Sequence, residues 1–341
     1  MKRLSIIVPI YKVEPFVERC LSSLLSQNIP PSDYEIICIN DGSPDNSRQI
    51  ILRLQAAYSN IILIDKQNEG VSRARNDGIG IATGKYVLFI DPDDYINHNC
   101  LKGILDKADN LNAQVSFLGF SLVSELEFSE PNHIRFQDEG RIYTGIEAYF
   151  KARGNGLVDP DRMVGVLFDR HFLEVNDLRY LSDVPFLEDG EFIARILTLT
   201  KRCIFDTTPF YLRTFRIGSA TNSNLIYTLR ATKGFVKAAI NLKQFQLNVN
   251  LDDSQKNFIN QPIIKFVVLS LLSCRKTNTF RRILMVKREL SENGLAKCNL
   301  NGSNRTYKRY GIAYNINPIL VLILGIYSEI LIYFKRKLFR S

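Results

Sequence analysis

Residues 87–96 read VLFIDPDDYI, and the reading of that stretch decides the fold. Four apolar residues, Val87 to Ile90, run straight into Asp91, Pro92, Asp93 and Asp94. The apolar run suits a buried strand, and Pro92 suits a turn directly after it. Three carboxylates at the end of such a strand repel one another, and each is costly to desolvate. A bound cation or a positively charged neighbour would resolve the conflict.

Working outward, LSIIVPI (4–10), EIICIN (35–40), IILID (61–65) and KYVLFI (85–90) are continuous apolar runs of the kind found in strands covered on both faces. Helical spacing separates them. Val17, Cys20, Leu21, Leu24 and Leu25 follow Pro15; Ile50, Leu54 and Ala57 follow Ser43-Pro44-Asp45; Val71, Ala74, Gly78 and Ile81 follow the third run. Downstream, Leu101, Ile104, Leu105 and Ala108 mark a further helix before QVSFLG (114–119). This alternation predicts an α/β fold, a Rossmann-like and mostly parallel sheet flanked by helices. In such sheets the ligand sits beyond the carboxyl ends of the strands. The loops that matter therefore begin at Pro9, Asn40, Asp65 and Asp91.

The composition agrees with a folded enzyme-sized chain. The 341 residues are 45% hydrophobic and 23% charged, with a formal net charge of +9. No nucleic-acid-binding signature occurs. The cations crowd instead toward the C-terminus: Arg281, Arg282, Lys287, Arg288, Lys308, Arg309, Lys335, Arg336, Lys337 and Arg340. Six cysteines occur without a CxxC pair, which argues against a zinc ribbon and suits reduced thiols in a cytoplasmic protein. The opening MKRLSIIVPIY imitates a signal peptide, but Pro9 interrupts the apolar run and Lys12 and Glu14 follow, so a first strand is the better reading. His98, His133 and His171 have no ligand spacing and read as structural.

Collected at one sheet edge, the loops Pro9–Lys12, Asn40–Ser43, Asn68–Asn76 and Asp91–Asp94 offer an aromatic ring, a lone carboxylate, an arginine and a carboxylate cluster. That inventory suits a nucleotide diphosphate held through a divalent metal, and oxygen ligands suit Mg²⁺ or Mn²⁺. Two other nucleotide designs fail. The first strand-to-helix turn, PIYKVEPF, lacks the glycines of a dinucleotide fold, and no G-x-x-x-x-G-K-[ST] occurs anywhere.

The runs SIIVPIYKVEPFVERCLSSLLSQ, EIICINDGSPDNS and NEGVSRARNDGIGIATGKYVLFIDPDDY resemble the glycosyltransferase family 2 domain of GT-A fold. The resemblance is specific over about residues 3–120 and continues more weakly through LEDGEF (187–192) and YLRTFRIGSAT (211–221). It implies inverting transfer of a sugar from a nucleotide-diphosphate donor, often UDP-linked, to an acceptor hydroxyl. By the same resemblance, Pro9 and Tyr11 flank the base and Asp41 accepts a hydrogen bond from the uracil ring. Gly70 and Arg75 lie near the ribose and diphosphate. Asp91 and Asp93 form the metal-binding DxD motif, with Asp93 the more direct ligand. Lys12 stands where many members have Asn.

Inversion by single displacement also needs a base opposite the leaving group. Glu188-Asp189 matches the family's Glu-Asp motif, with Asp189 as the base and Glu188 as its alternate. Arg213 and Arg216 have the fork geometry to assist the diphosphate. Plainer readings stand beside these: an Asx turn at Asp91–Asp94, a simple Asp-Gly turn at Asp41, a solvated first helical turn at Glu188-Asp189, surface ion pairs at Arg213 and Arg216, and an Arg75–Asp77 pair. The rival functions are a catalytically inactive sugar-nucleotide-binding protein and a nucleotidyltransferase.

The expected organisation is a catalytic domain over 1–224, with a nucleotide-sugar half (1–120) and an acceptor half (121–224), followed by a helical region over 225–341. The apolar segment 318–334 is short for a spanning helix and carries Glu329, so a helix lying in the membrane interface fits it better than a spanning one, with a buried core helix as the alternative. The expected location is cytoplasmic and peripheral, at the inner face of the cell membrane. The expected partners are a nucleotide-sugar donor, a glycan or lipid-linked acceptor as in polysaccharide biosynthesis, and the membrane surface.

Overall fold

The computed structural model describes residues 2–124, 132–134, 140–154, 163–215, 224–276 and 278–338. In chain order the strands are β1 (Leu4–Ile10), β2 (Tyr34–Asp41), β3 (Ile61–Lys66), β4 (Tyr86–Phe89), β5 (Tyr95–Ile96), β6 (Val115–Ser124), β7 (Asn132–Ile134), β8 (Val166–Asp169) and β9 (Cys203–Phe215). The helices are α1 (Glu14–Leu25), α2 (Ser47–Ala57), α3 (Val71–Ile81), α4 (Leu101–Asn110), α5 (Gly145–Gly154), α6 (Arg170–Val175), α7 (Glu188–Leu199), α8 (Leu229–Asn248), α9 (Asp253–Leu272), α10 (Thr279–Glu292), α11 (Arg305–Ile316) and α12 (Pro318–Leu338).

These elements form two compact units. The first comprises Met1–Ser182 and Leu199–Ile217, and the second Asp183–Thr198 and Gly218–Ser341.

The first unit is built on one sheet with strand order β3-β2-β1-β4-β8-β6-β9-β5, and β7 beside β6. β1 pairs in parallel with β2 and β4, and β2 with β3. Every residue of β1 and β2 is buried, as their continuous apolar sequences require. Of the α1 residues spaced for one helical face, Val17, Cys20, Leu21 and Leu24 are buried together with Ser23, and Leu25 is half-buried. Gly84 is held to glycine by close approach, because a Cβ there would lie 2.5 Å from the Ser5 backbone nitrogen.

The parallel half supplies the expected α/β layering; beyond β4 the sheet turns mixed. The four-residue β8 inserts antiparallel between β4 and β6, so QVSFLG lies one strand further out than sequence order suggests. β8 is too short for periodicity to reveal it, and a strand's pairing partner is not written in its own pattern.

The second unit is helical. Its α7 buries an ion pair in which Arg195 donates from Nε to Glu191 Oε1 at 2.7 Å and from Nη2 to Oε2 at 2.8 Å. Asn241 of α8 completes the shell of Glu191 at 2.7 Å. The segment Asp253–Arg275 is long and apolar enough to cross a membrane, yet 72% of its most apolar window is buried within the protein. It is packed as a core helix. α11 and α12 lie against α9 and against each other.

Candidate active site

Because β1, β2, β3 and β4 run in parallel, their carboxyl ends share one edge, and the loops that follow bind one another there. After β1, Lys12 adopts a left-handed backbone (φ 54°) and its N–H donates to Ser43 Oγ at 2.8 Å. Tyr11 beside it is 44% exposed, with the Lys12 ammonium 5.3 Å from its ring centroid. Pro9 is buried in β1, paired with Ile39.

After β2, Ser43 donates to Asp45 Oδ1 at 2.6 Å and the Glu14 N–H donates to Oδ2 at 2.9 Å. Glu14 in turn accepts from the Asn46 N–H at 3.0 Å and from its side-chain amide at 2.9 Å. Burial raises the Asp45 carboxyl, but hydrogen bonds from Ser43, Ser47 and the Glu14 backbone outweigh it and bring the pKa down to about 2. A depressed folded pKa contributes stability that is present above the unfolded value of 3.8 and is lost as pH falls toward 2. Melting temperatures of wild type and Asp45→Asn should therefore differ at pH 6 and converge as pH approaches 2. A gap that stays constant across that range would overturn the assignment.

Asp41 ends β2 and is 3% exposed. Its two carboxylate oxygens accept the backbone N–H groups of Glu69 and Gly70, each at 2.8 Å, and its carbonyl accepts the Asn68 side-chain amide at 2.9 Å. Asp41 thus shapes the loop that leads into α3. Gly70 opens that helix with φ 94°, which favours glycine.

One turn into α3, Arg75 is nearly buried and donates to Asp91 Oδ1 at 3.0 Å. Its guanidinium lies 5.0 Å from the Tyr180 ring centroid. Asn76 fixes Tyr180 by bonding both its carbonyl (2.9 Å) and its N–H (2.8 Å). The described partners of Asp77 do not include Arg75; Lys66 pairs with Asp77.

The three acids after β4 have different fates. Asp91 is held by Arg75. Asp93 stays half-buried, and its carbonyl accepts from Arg19 at 3.0 Å. Asp94 is 3% exposed; its Oδ2 accepts from the Tyr211 hydroxyl at 2.6 Å and its Oδ1 from the Thr214 N–H at 2.8 Å. Tyr211 also accepts the Asp91 N–H at 3.2 Å. Burial, with the nearby Asp91 charge, raises the Asp94 carboxyl to about 7. The like-charge conflict is thereby eased by an arginine on one side and by a weakened tendency to ionise on the other. Arg19 adds a second tie, bonding Thr214 Oγ1 at 2.9 Å.

Tyr211, Thr214 and Arg19 are thus part of the site's frame. Tyr211 and Thr214 lie in a segment the sequence marked for its arginines, and Arg19 stands on an exposed helix face within the first motif run, where nothing singled it out. Tyr211→Phe would leave the Asp91 N–H and Asp94 short of a partner in a buried setting. It should cost about 1–3 kcal/mol of stability in urea titrations; an unchanged midpoint would show that the hydroxyl is dispensable.

Hydrogen bonds therefore join Asp41 to Gly70 and Arg75 to Asp91, and helix α3, which Gly70 opens and which carries Arg75, connects the two pairs. Arg213 lies in β9, half-buried, and strand alternation puts it on the same face as Tyr211. Glu188 and Asp189 open α7 in the second unit, just after Leu187 with its left-handed backbone (φ 57°). Arg216 lies outside the described residues. No group of three or more His, Cys, Asp or Glu side chains is gathered as a metal cage among the described residues.

A sequence model described as Glycosyl transferase family 2 matches residues 5–217, more than half of the chain. The chain belongs to glycosyl transferase family 2. It is 42% identical over 101 residues to a poly(ribitol-phosphate) beta-glucosyltransferase of Bacillus spizizenii, covering 29% of this chain and 16% of that protein. It is 27% identical over 225 residues to glycosyltransferase GlyA of Streptococcus pneumoniae, covering 64% of this chain and 31% of that protein. The chain thus spans a third or less of the length of these relatives. The solved structure of S. aureus TarS 1-349 in complex with UDP-GlcNAc has a TM-score of 0.67 at 19% identity, covering 96% of this chain and 92% of that one. This likeness establishes the GT-A fold for the family 2 chain.

Proposed function

We propose that this family 2 protein is an inverting glycosyltransferase that moves a sugar from a nucleotide-diphosphate donor, UDP-linked, to an acceptor hydroxyl. The observation that carries the reading is the connected set at the strand ends: Asp41 shapes the loop into α3, and α3 presents Arg75 to Asp91. In this proposal the donor takes one orientation. The base lies against Tyr11 and Pro9 with its ring N–H toward Asp41, the ribose lies near Gly70, and the diphosphate lies toward Arg75 and Asp91.

Asp91 and Asp93 suit a divalent metal. They offer hard oxygen donors on one turn, Asp91 remains 35% exposed, and the diphosphate and water can complete the shell. Mg²⁺ or Mn²⁺ bound there would neutralise charge on the leaving diphosphate. Arg213 and Arg216 supply further positive charge. Asp189, with Glu188 as alternate, removes the acceptor proton as the hydroxyl attacks.

The named relatives include a poly(ribitol-phosphate) glucosyltransferase and a minor teichoic acid biosynthesis protein of Bacillus subtilis. Their names support an acceptor in polymer synthesis, here a glycan or a lipid-linked glycan. A peripheral position at the inner membrane face, through the C-terminal helices, suits such an acceptor. The test is a calorimetric screen of nucleotide-sugars with Mn²⁺ present, followed by transfer assays with the donor that binds. Binding of a UDP-sugar is the expected result. Failure of every nucleotide-sugar to bind would overturn the reading.

A further inference from the structure

The mixed character of the last two helices is unexplained by sugar transfer. α11 and α12 each bury one face: Ala313 and Tyr314 on α11, and Val321 and Leu322 on α12. Gly311 and Gly325 allow that close packing, since a Cβ at Gly311 would meet Leu300 at 2.4 Å and one at Gly325 would meet Leu272 at 2.5 Å. The opposite faces, as far as Ser328, are left to solvent and carry large apolar side chains. Ile312 is 45% exposed, Ile316 72%, Ile323 55% and Tyr327 58%. Between the two helices these side chains line a groove of about 620 Å³. A contiguous apolar patch of this kind marks an interaction surface.

The charge around the patch says what covers it. No acidic residue occurs between Glu292 and Glu329, whereas α11 carries Arg305, Lys308 and Arg309, all exposed. Arg309 lines the groove itself. Two copies of this face brought together would set like charges against each other. An anionic lipid surface instead meets both needs, because hydrocarbon covers the isoleucines while the cations reach phosphate groups.

We propose that the outer faces of α11 and of α12 as far as Ser328 form one docking surface for an anionic phospholipid leaflet, with the groove between them accepting hydrocarbon. The inference deepens the peripheral-membrane part of the reading above and rests on it. It moves the anchor from the isolated segment 318–334 to a two-helix platform in which α11 supplies the charge.

The test is cosedimentation of the full chain with vesicles of phosphatidylglycerol and phosphatidylcholine, and with phosphatidylcholine alone. Wild type should bind the anionic vesicles and release at high salt. The double variant Ile316→Glu/Ile323→Glu, and separately Arg305→Gln/Arg309→Gln, should each weaken that binding by ~10-fold or more while UDP-sugar binding is unchanged. These side chains are exposed, so the fold should survive. Leu247→Ser, at a 66% exposed position of α8, is the control and should bind as wild type does. If wild type binds and both double variants bind equally well, the two-helix surface is wrong while the membrane reading stands. If wild type ignores both vesicles, both fail. A wild-type dimer in light scattering that the isoleucine variant dissolves, with no vesicle binding, would make this face a self-association surface and overturn the proposal.

Discussion

Asp189→Asn is expected to leave donor affinity near wild type and to lower turnover by ~10²-fold or more, the scale on which loss of a general base is felt. The substitution keeps the size of the side chain and removes its ability to take a proton. It falls in the first turn of α7. The helix should persist, because the buried Glu191–Arg195 pair holds it one turn further on. Glu188→Gln should be milder. Donor Kd and kcat for both variants decide the matter. A Glu188 variant that is the dead one would exchange the roles, and full activity in both would remove the base from α7.

Asp93→Ala is expected to abolish transfer, and to weaken nucleotide-diphosphate binding only when Mn²⁺ or Mg²⁺ is present. Asp93 is the acid that the family resemblance makes the more direct metal ligand. Asp91 holds the buried Arg75, and its removal would leave that guanidinium short of a partner, so Asp91→Ala confounds function with stability. Asp94 holds Tyr211 and Thr214 and invites the same confusion. The side chain of Asp93 is half-buried on a turn, and the melting temperature of the variant is read beside its activity so that loss of function is separated from loss of fold. Wild-type turnover in the variant, or a wild type indifferent to EDTA, would rule out the metal.

The edge that carries these residues was legible in the sequence for a geometric reason. Apolar runs alternating with helical spacing force parallel strands, and parallel strands send all their following loops to one side. The loops of Asp41, Arg75 and Asp91 could be gathered from that alone, whereas Gly70 was singled out by the family resemblance. The division of labour within DPDD could not, because three neighbouring acids look alike in a string. What separates Asp94 is Tyr211, 117 residues away in sequence. The insertion of β8 was hidden for a related reason: four residues carry too little pattern to show which strand they join. The outward apolar face of α11 was hidden too, since Ile312 and Ile316 match an ordinary core stripe until the helix is seen to bury its other side.

The hydrogen bonds between loops also bear on how the site comes apart. Lys12 bonds Ser43, Glu14 exchanges bonds with Asp45 and Asn46, and Asp41 holds Glu69 and Gly70. These links run across three separate loops rather than along the sheet. No single loop can open without releasing a neighbour, so the edge should behave as one cooperative element of local unfolding. The amide protons of Lys12, Glu14, Asn46, Glu69 and Gly70 would then exchange with solvent at a common rate, distinct from the slower amides of β1 and β2, and a bound donor would slow all five together.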